Sequence, residues 1–128
     1  MSDKDTPLAF IGTSLEDLSD FPLKSKKEIG LALRTAQKGG KALNVKPLKG
    51  FGGAGVLEVL SDSDGDTYRA VYTVKLRGMI YVLHAFQKKS TTKSKTSKSD
   101  IDKITARLKI ATDLHKELEN EQGKKHKK

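Results

Sequence analysis

A chain of 128 residues has the length of one domain with one core, and with 35% hydrophobic and 5% aromatic residues that core is modest and gathered in a few segments. The absence of cysteine excludes disulfides and thiolate chemistry, as suits a reducing cytoplasm. A formal net charge of +9 at pH 7 steers the chain towards polyanions, of which nucleic acid is the commonest in a cytoplasm.

Met1–Pro7 is polar and acidic, so no signal peptide is expected there, and no apolar run has the length of a membrane span. Acidic residues dominate the first 20 positions, whereas lysines crowd positions 88–98 and 124–128. That asymmetry predicts a basic surface rather than uniform solubilisation.

In chain order, Pro7–Gly12 reads as a short first strand. Thr13 and Ser14, each three residues ahead of an acid (Glu16, Asp17), carry the capping-box pattern of a short helix through Leu15 and Leu18. Pro22 suits the first turn of a second helix, whose Ile29, Leu33 and Ala36 recur at i, i+4 and i+7. Lys38-Gly39-Gly40 closes it. Lys41–Gly55 reads as a glycine- and lysine-rich loop. Its Gly50–Gly55 segment spells G-x-G-x-x-G, but a loop precedes it and a β-type run follows, so no dinucleotide site is expected.

Val56–Leu60 reads as a strand with Glu58 inside it. Asp62–Asp66 lacks the glutamate and flanking helices of a calcium loop and reads as a strand-connecting turn through Asp64-Gly65. From Tyr68 to Val74 the residues alternate, with Tyr68, Ala70, Tyr72 and Val74 on one face and Arg69, Val71 and Thr73 on the other. Met79–Phe86 is apolar at nearly every position, as in a central strand covered on both faces. His84 within it reads first as a buried, hydrogen-bonded histidine, and second as a catalytic one. Lys88–Lys98 contains only Lys, Ser and Thr, and its place after a central strand points to a phosphate-binding loop. Ser99-Asp100-Ile101-Asp102 caps a third helix. Its apolar stripe of Ile101, Ile104, Leu108, Ala111, Leu114 and Leu118 should dock on the sheet. Residues 1–120 form one domain in this reading, and 121–128 a basic disordered tail.

The series Lys46-Pro47-Leu48-Lys49, Val56–Leu60, Tyr68-Arg69-Ala70-Val71-Tyr72, Tyr81–Lys89, a Ser/Thr/Lys loop and Ser-Asp-Ile-Asp resembles the phage-derived branch of the HigB/RelE toxin superfamily over roughly residues 8–118. The resemblance implies an α+β, RelE-like fold. Two N-terminal helices pack on a small, mostly antiparallel sheet whose other face is basic, and a C-terminal helix follows. It implies metal- and cofactor-independent cleavage of messenger RNA on the ribosome, inhibiting translation, and a helix-turn-helix antitoxin as partner. It places Arg69, Lys88, Lys89 and Glu58 at the site. The tyrosine that some members carry near the start of the last helix is replaced here by Ile101, and His84 is the only histidine near the strands. A non-catalytic RNA- or ribosome-binding module, or a phage interaction protein, is the alternative.

Chemically, an RNA endonuclease of this kind uses the 2′-hydroxyl as nucleophile. It needs a group to take that proton, charge to stabilise the phosphorane, and an acid for the 5′ oxygen. Arg69 suits the second task. Lys88 or Lys89, with pKa values lowered by neighbouring cations, could serve as base or acid, and Glu58 is the alternative base. Lys46, Lys49, Lys93, Lys95 and Lys98 are expected to contact phosphates. The histidines His84, His115 and His126 are far apart in sequence, so no metal site is predicted, and no serine-hydrolase elbow is present.

Overall fold

The computed structural model describes residues 5–51, 55–74, 76, 78–88 and 96–126, with side chains as far as residue 117. The elements follow as β1 (Leu8–Phe10), α1 (Ser14–Ser19), α2 (Leu23–Gln37), β2 (Val45–Pro47), β3 (Val56–Ser63), β4 (Asp66–Thr73), β5 (Ile80–Lys88) and α3 (Lys98–His126). The strands form one sheet in the order β1-β5-β4-β3-β2, antiparallel except for the parallel β1–β5 pair. The fold is therefore α+β with a mixed sheet, and a strand comes before the two N-terminal helices. The segment expected as a plain loop after α2 contains β2, a three-residue edge strand. Pro47 is tolerated there because an edge strand has no second neighbour to receive an N–H. The backbone of α3 runs to His126, into the basic stretch that the sequence assigned to a tail.

The hairpin turn between β3 and β4 is Asp64-Gly65, both with positive φ (51° and 85°), the two-residue geometry that matches strand twist. The helix starts differ from the sequence expectation. At α1, Thr13 sits at the N-cap but makes no side-chain cap, because its hydroxyl turns to Asp17 Oδ2 (2.8 Å). Pro22 stands at the N-cap of α2 rather than inside it. At α3 the reciprocal cap belongs to Ser97, not Ser99. The Asp100 N–H donates to Ser97 Oγ (3.2 Å), and that hydroxyl donates to Asp100 Oδ2 (2.7 Å).

Both faces of the sheet are covered. On one, Ile29, Ala32, Leu33 and Ala36 of α2 pack on Val59, Ala70, Tyr72 and Val82. On the other, Ile104 and Ala111 of α3, with partly buried Ile101 and Leu108, pack on Val56, Val71, Tyr81 and Leu83. The face that the resemblance implies to be basic is thus largely covered by α3, which docks on the sheet as its apolar stripe leads one to expect. The α3 stripe docks as far along as Ala111, Leu114 is 42% exposed, and the side chain of Leu118 lies outside the described residues.

One irregularity sets what the second face presents. Tyr72 pairs with Val82 and Val71 with His84, so Leu83 is an extra residue on β5. A bulge of this kind inverts the side-chain alternation beyond it. Before it, Ile80 and Val82 face α2. After it Ala85 does, while His84, Phe86 and Lys88 come to the α3 side, level with Val71, Arg69 and Thr67.

Candidate functional site

Three charged side chains interrupt the apolar layer under α3: Glu58 on β3, Arg69 on β4 and Lys88 on β5, at 1%, 4% and 6% exposure. Register brings them together. Glu58 lies opposite Val71 and Leu60 opposite Arg69, so Glu58 and Arg69 are diagonal neighbours on one face. Arg69 Nη1 donates to Glu58 Oε2 at 2.8 Å. Lys88, opposite Thr67, is one step further along the same face. Its amine has no hydrogen-bond partner among the described residues. Burial lowers its pKa below the usual 10.5, the Arg69 charge lowers it further, and Glu58 partly offsets both.

A cavity of ≈ 400 Å³ opens beside this cluster, between β2, β3 and the start of α3. Pro47, Leu48 and Ile101 line it together with Glu58, Lys46 and Thr96. Thr96 Oγ1 donates to the same Glu58 oxygen at 3.3 Å. Lys46 pairs with Glu58 across the strands, so its exposed side chain emerges on the same face. Lys49 and Gly50 complete the rim. A larger groove of ≈ 540 Å³ lies between α2 and β3, but it holds no buried charge cluster. Its polar contacts are structural, with Ser61 Oγ donating to Glu28 Oε1 at 2.6 Å and Lys24 Nζ to Asp62 O at 2.7 Å.

His84 is on the same face but serves another network. Arg107 of α3 donates to Leu83 O (3.0 Å) and to His84 Nδ1 (3.3 Å), and His84 Nε2 meets Asp100 Oδ1 at 2.8 Å. An Nδ1 that accepts and an Nε2 that donates define a neutral imidazole. Burial pushes its pKa below 6.5, against the upward pull of Asp100. Phe86 stacks on the ring with centroids 4.8 Å apart. Arg107 also reaches Thr13 Oγ1 (3.3 Å), passing so close to Gly12 (φ 61°) that a Cβ there would lie 2.8 Å from Arg107 Nε. His84 therefore fastens α3 to β5, as the buried-histidine reading expects.

Of the sequence-predicted site residues, the structure brings Glu58, Arg69 and Lys88 together, with Lys46 and Lys49 at the adjoining cavity. Lys88 is not the start of a loop. It is the last residue of β5 and buried, because the strand continues two residues beyond its apolar run. Lys98 is exposed in the first turn of α3. Lys89, Lys93 and Lys95 lie outside the described residues. Thr96, Asp100 and Arg107 were missed by sequence reasoning. The Ser97-x-x-Asp100 spacing signals Asp100, and nothing local signals Thr96 or Arg107. Among the described residues no group of His, Asp and Glu side chains could hold a metal ion, and no helix is long and apolar enough to cross a membrane.

In comparisons with known proteins, a family model described as phage-derived protein Gp49-like (DUF891) matches residues 16–109. That span contains every residue of the cluster and the cavity. No curated protein and no solved structure matches the chain.

Proposed function

The chain belongs to the phage-derived Gp49-like family, which is associated with the RelE/HigB toxin superfamily, and on that premise we propose that it is a toxin that cleaves messenger RNA without a metal. One observation carries the reading. Glu58, Arg69 and Lys88 are buried together on one sheet face, with an amine left without a hydrogen bond among the described residues. Burying charge is costly, and an apolar trio would hold the sheet to α3 at least as well. Perturbed, clustered charges beside a cavity mark a reactive site rather than a scaffold.

In this mechanism Arg69 offers its fork to the non-bridging phosphate oxygens as charge builds on them. Glu58 positions that fork through its Oε2 contact. Lys88, its neutral form favoured by burial and by Arg69, takes the 2′-hydroxyl proton. The 2′ oxygen bonds to phosphorus, the bond to the 5′ oxygen breaks, and the departing oxygen draws a proton from an ammonium of the lysine rim. The products are a 2′,3′-cyclic phosphate and a 5′-hydroxyl. Lys49 and Lys98 hold flanking phosphates, and Lys89, Lys93 and Lys95 extend that strip in sequence. A ribosome presents the message, and a small helix-turn-helix antitoxin covers the basic strip.

A second reading, a non-catalytic RNA- or ribosome-binding module, draws on the same ion pair. Arg69 is already engaged by Glu58, and both are almost wholly buried. Induction of the gene alone separates the two. The toxin reading expects growth arrest with cyclic-phosphate RNA ends, lost in a folded Lys88→Met variant. Arrest that persists in that variant, without such ends, belongs to the binding module.

A further inference from the structure

The cavity beside the charge cluster has chemistry of its own, separate from phosphate binding. Its volume of ≈ 400 Å³ is at the small end of ligand pockets, of the order of one nucleoside. Its walls, Pro47, Leu48 and Ile101, are apolar and suit the flat face of a base. Two hydrogen bonds from Arg69 and Thr96 fall on one oxygen of Glu58, Oε2, and no described residue donates to Oε1. That oxygen can accept from a ligand. Lys46, the cross-strand partner of Glu58, brings a second charged side chain to the same face and lines the same cavity.

The cavity therefore offers a carboxylate acceptor and a cationic donor on its lining. Among the four RNA bases, only guanine carries the complement along its Watson–Crick edge: O6 as acceptor, then N1–H and N2–H as adjacent donors. Adenine and cytosine each put a ring-nitrogen acceptor beside their amino group, where it would face the carboxylate. Uracil flanks its single N–H with two carbonyls. Unpaired bases of single-stranded RNA are read along this edge.

We propose that the cavity between β2, β3 and the start of α3 is a guanine pocket, in which Glu58 Oε1 accepts from N1–H and N2–H while Lys46 donates to O6. This deepens the RNA reading above and rests on it. Guanine is also available as a free nucleotide. The exposed Lys49 on the rim and Lys98 on the first turn of α3 favour a base carried on a strand, whose flanking phosphates these cations can meet.

The test titrates the full chain with the four nucleoside 5′-monophosphates, and with two single-stranded oligonucleotides, all-uridine and uridine with one central guanosine. GMP should bind about tenfold or more tightly than AMP, CMP or UMP, and the guanosine oligonucleotide more tightly than GMP. Glu58→Gln should bring the GMP-to-AMP ratio towards one. Lys46→Met, an exposed edge substitution that leaves the core intact, should lower the same ratio if Glu58→Gln fails to fold. Salt-dependent binding of both oligonucleotides with no guanine preference would overturn the pocket and leave the RNA reading standing. Absence of any GMP or oligonucleotide binding would overturn the pocket, while the RNA reading is overturned separately by intact message on ribosomes. GMP binding more tightly than the guanosine oligonucleotide would overturn the strand-borne ligand.

Discussion

The two faces of the sheet are made by alternate residues of the same strands, yet they do opposite things. Towards α2, Val59, Ala70, Tyr72 and Val82 meet Ile29, Ala32 and Leu33 in a layer of apolar contacts. Towards α3, Val56, Val71 and Leu83 begin the same kind of layer, and Glu58, Arg69 and Lys88 break it. The difference teaches where the chain places its chemistry. One face supplies the burial that holds the domain together, which lets the other carry desolvated charge.

The two faces differ most in how they respond to substitution at Arg69. Arg69→Ala leaves Glu58 buried without its ion-pair partner and should destabilise the fold by about 3–5 kcal/mol in denaturant unfolding. The double change Glu58→Leu with Arg69→Met should instead be neutral or stabilising by about 1–4 kcal/mol, while RNA cleavage is lost. On the α2 face, Ile29→Ala should cost about 2–5 kcal/mol through transfer and cavity effects, with cleavage per folded molecule unchanged.

Smaller effects sharpen the picture by pH. Lys88 has its folded pKa below the unfolded 10.5, so its contribution to stability is fully present above pH 10.5 and is lost as pH falls through the folded value. Lys88→Met should therefore be more stable than the parent at neutral pH, with a flatter rise in stability towards alkaline pH. His84 also has a depressed pKa. Its contribution is present above pH 6.5 and is lost as pH falls through the folded value, when Nδ1 can no longer accept from Arg107. His84→Gln should remove that part of the acid sensitivity, read as unfolding midpoints against pH.

The sequence reading reached the faces of β4, because Tyr68–Thr73 alternates cleanly and the structure sends Tyr68, Ala70 and Tyr72 to α2 and Arg69 to the other side. It also reached the central place of β5, because a strand covered on both faces is apolar throughout. That same continuity hid the bulge at Leu83, since a run without alternation cannot show where alternation inverts. Lys88 joins Arg69 only because of that inversion. The docking of α3 over the second face was legible from Ile104 and Ala111. That its cap lies at Ser97 was obscured by two Ser-x-x-Asp matches in succession. Long-range contacts such as Arg107 with Thr13, 94 residues apart, leave no local pattern.

The central claim is that the buried charge cluster performs chemistry on RNA rather than holding the fold. Ribosomes carrying a defined message, incubated with the purified chain in excess chelator, test it directly through the ends of the RNA. The account predicts 2′,3′-cyclic phosphate ends from the parent chain and none from the folded Glu58→Leu, Arg69→Met variant. Intact message with the parent chain, or the same ends from the double variant, would contradict it.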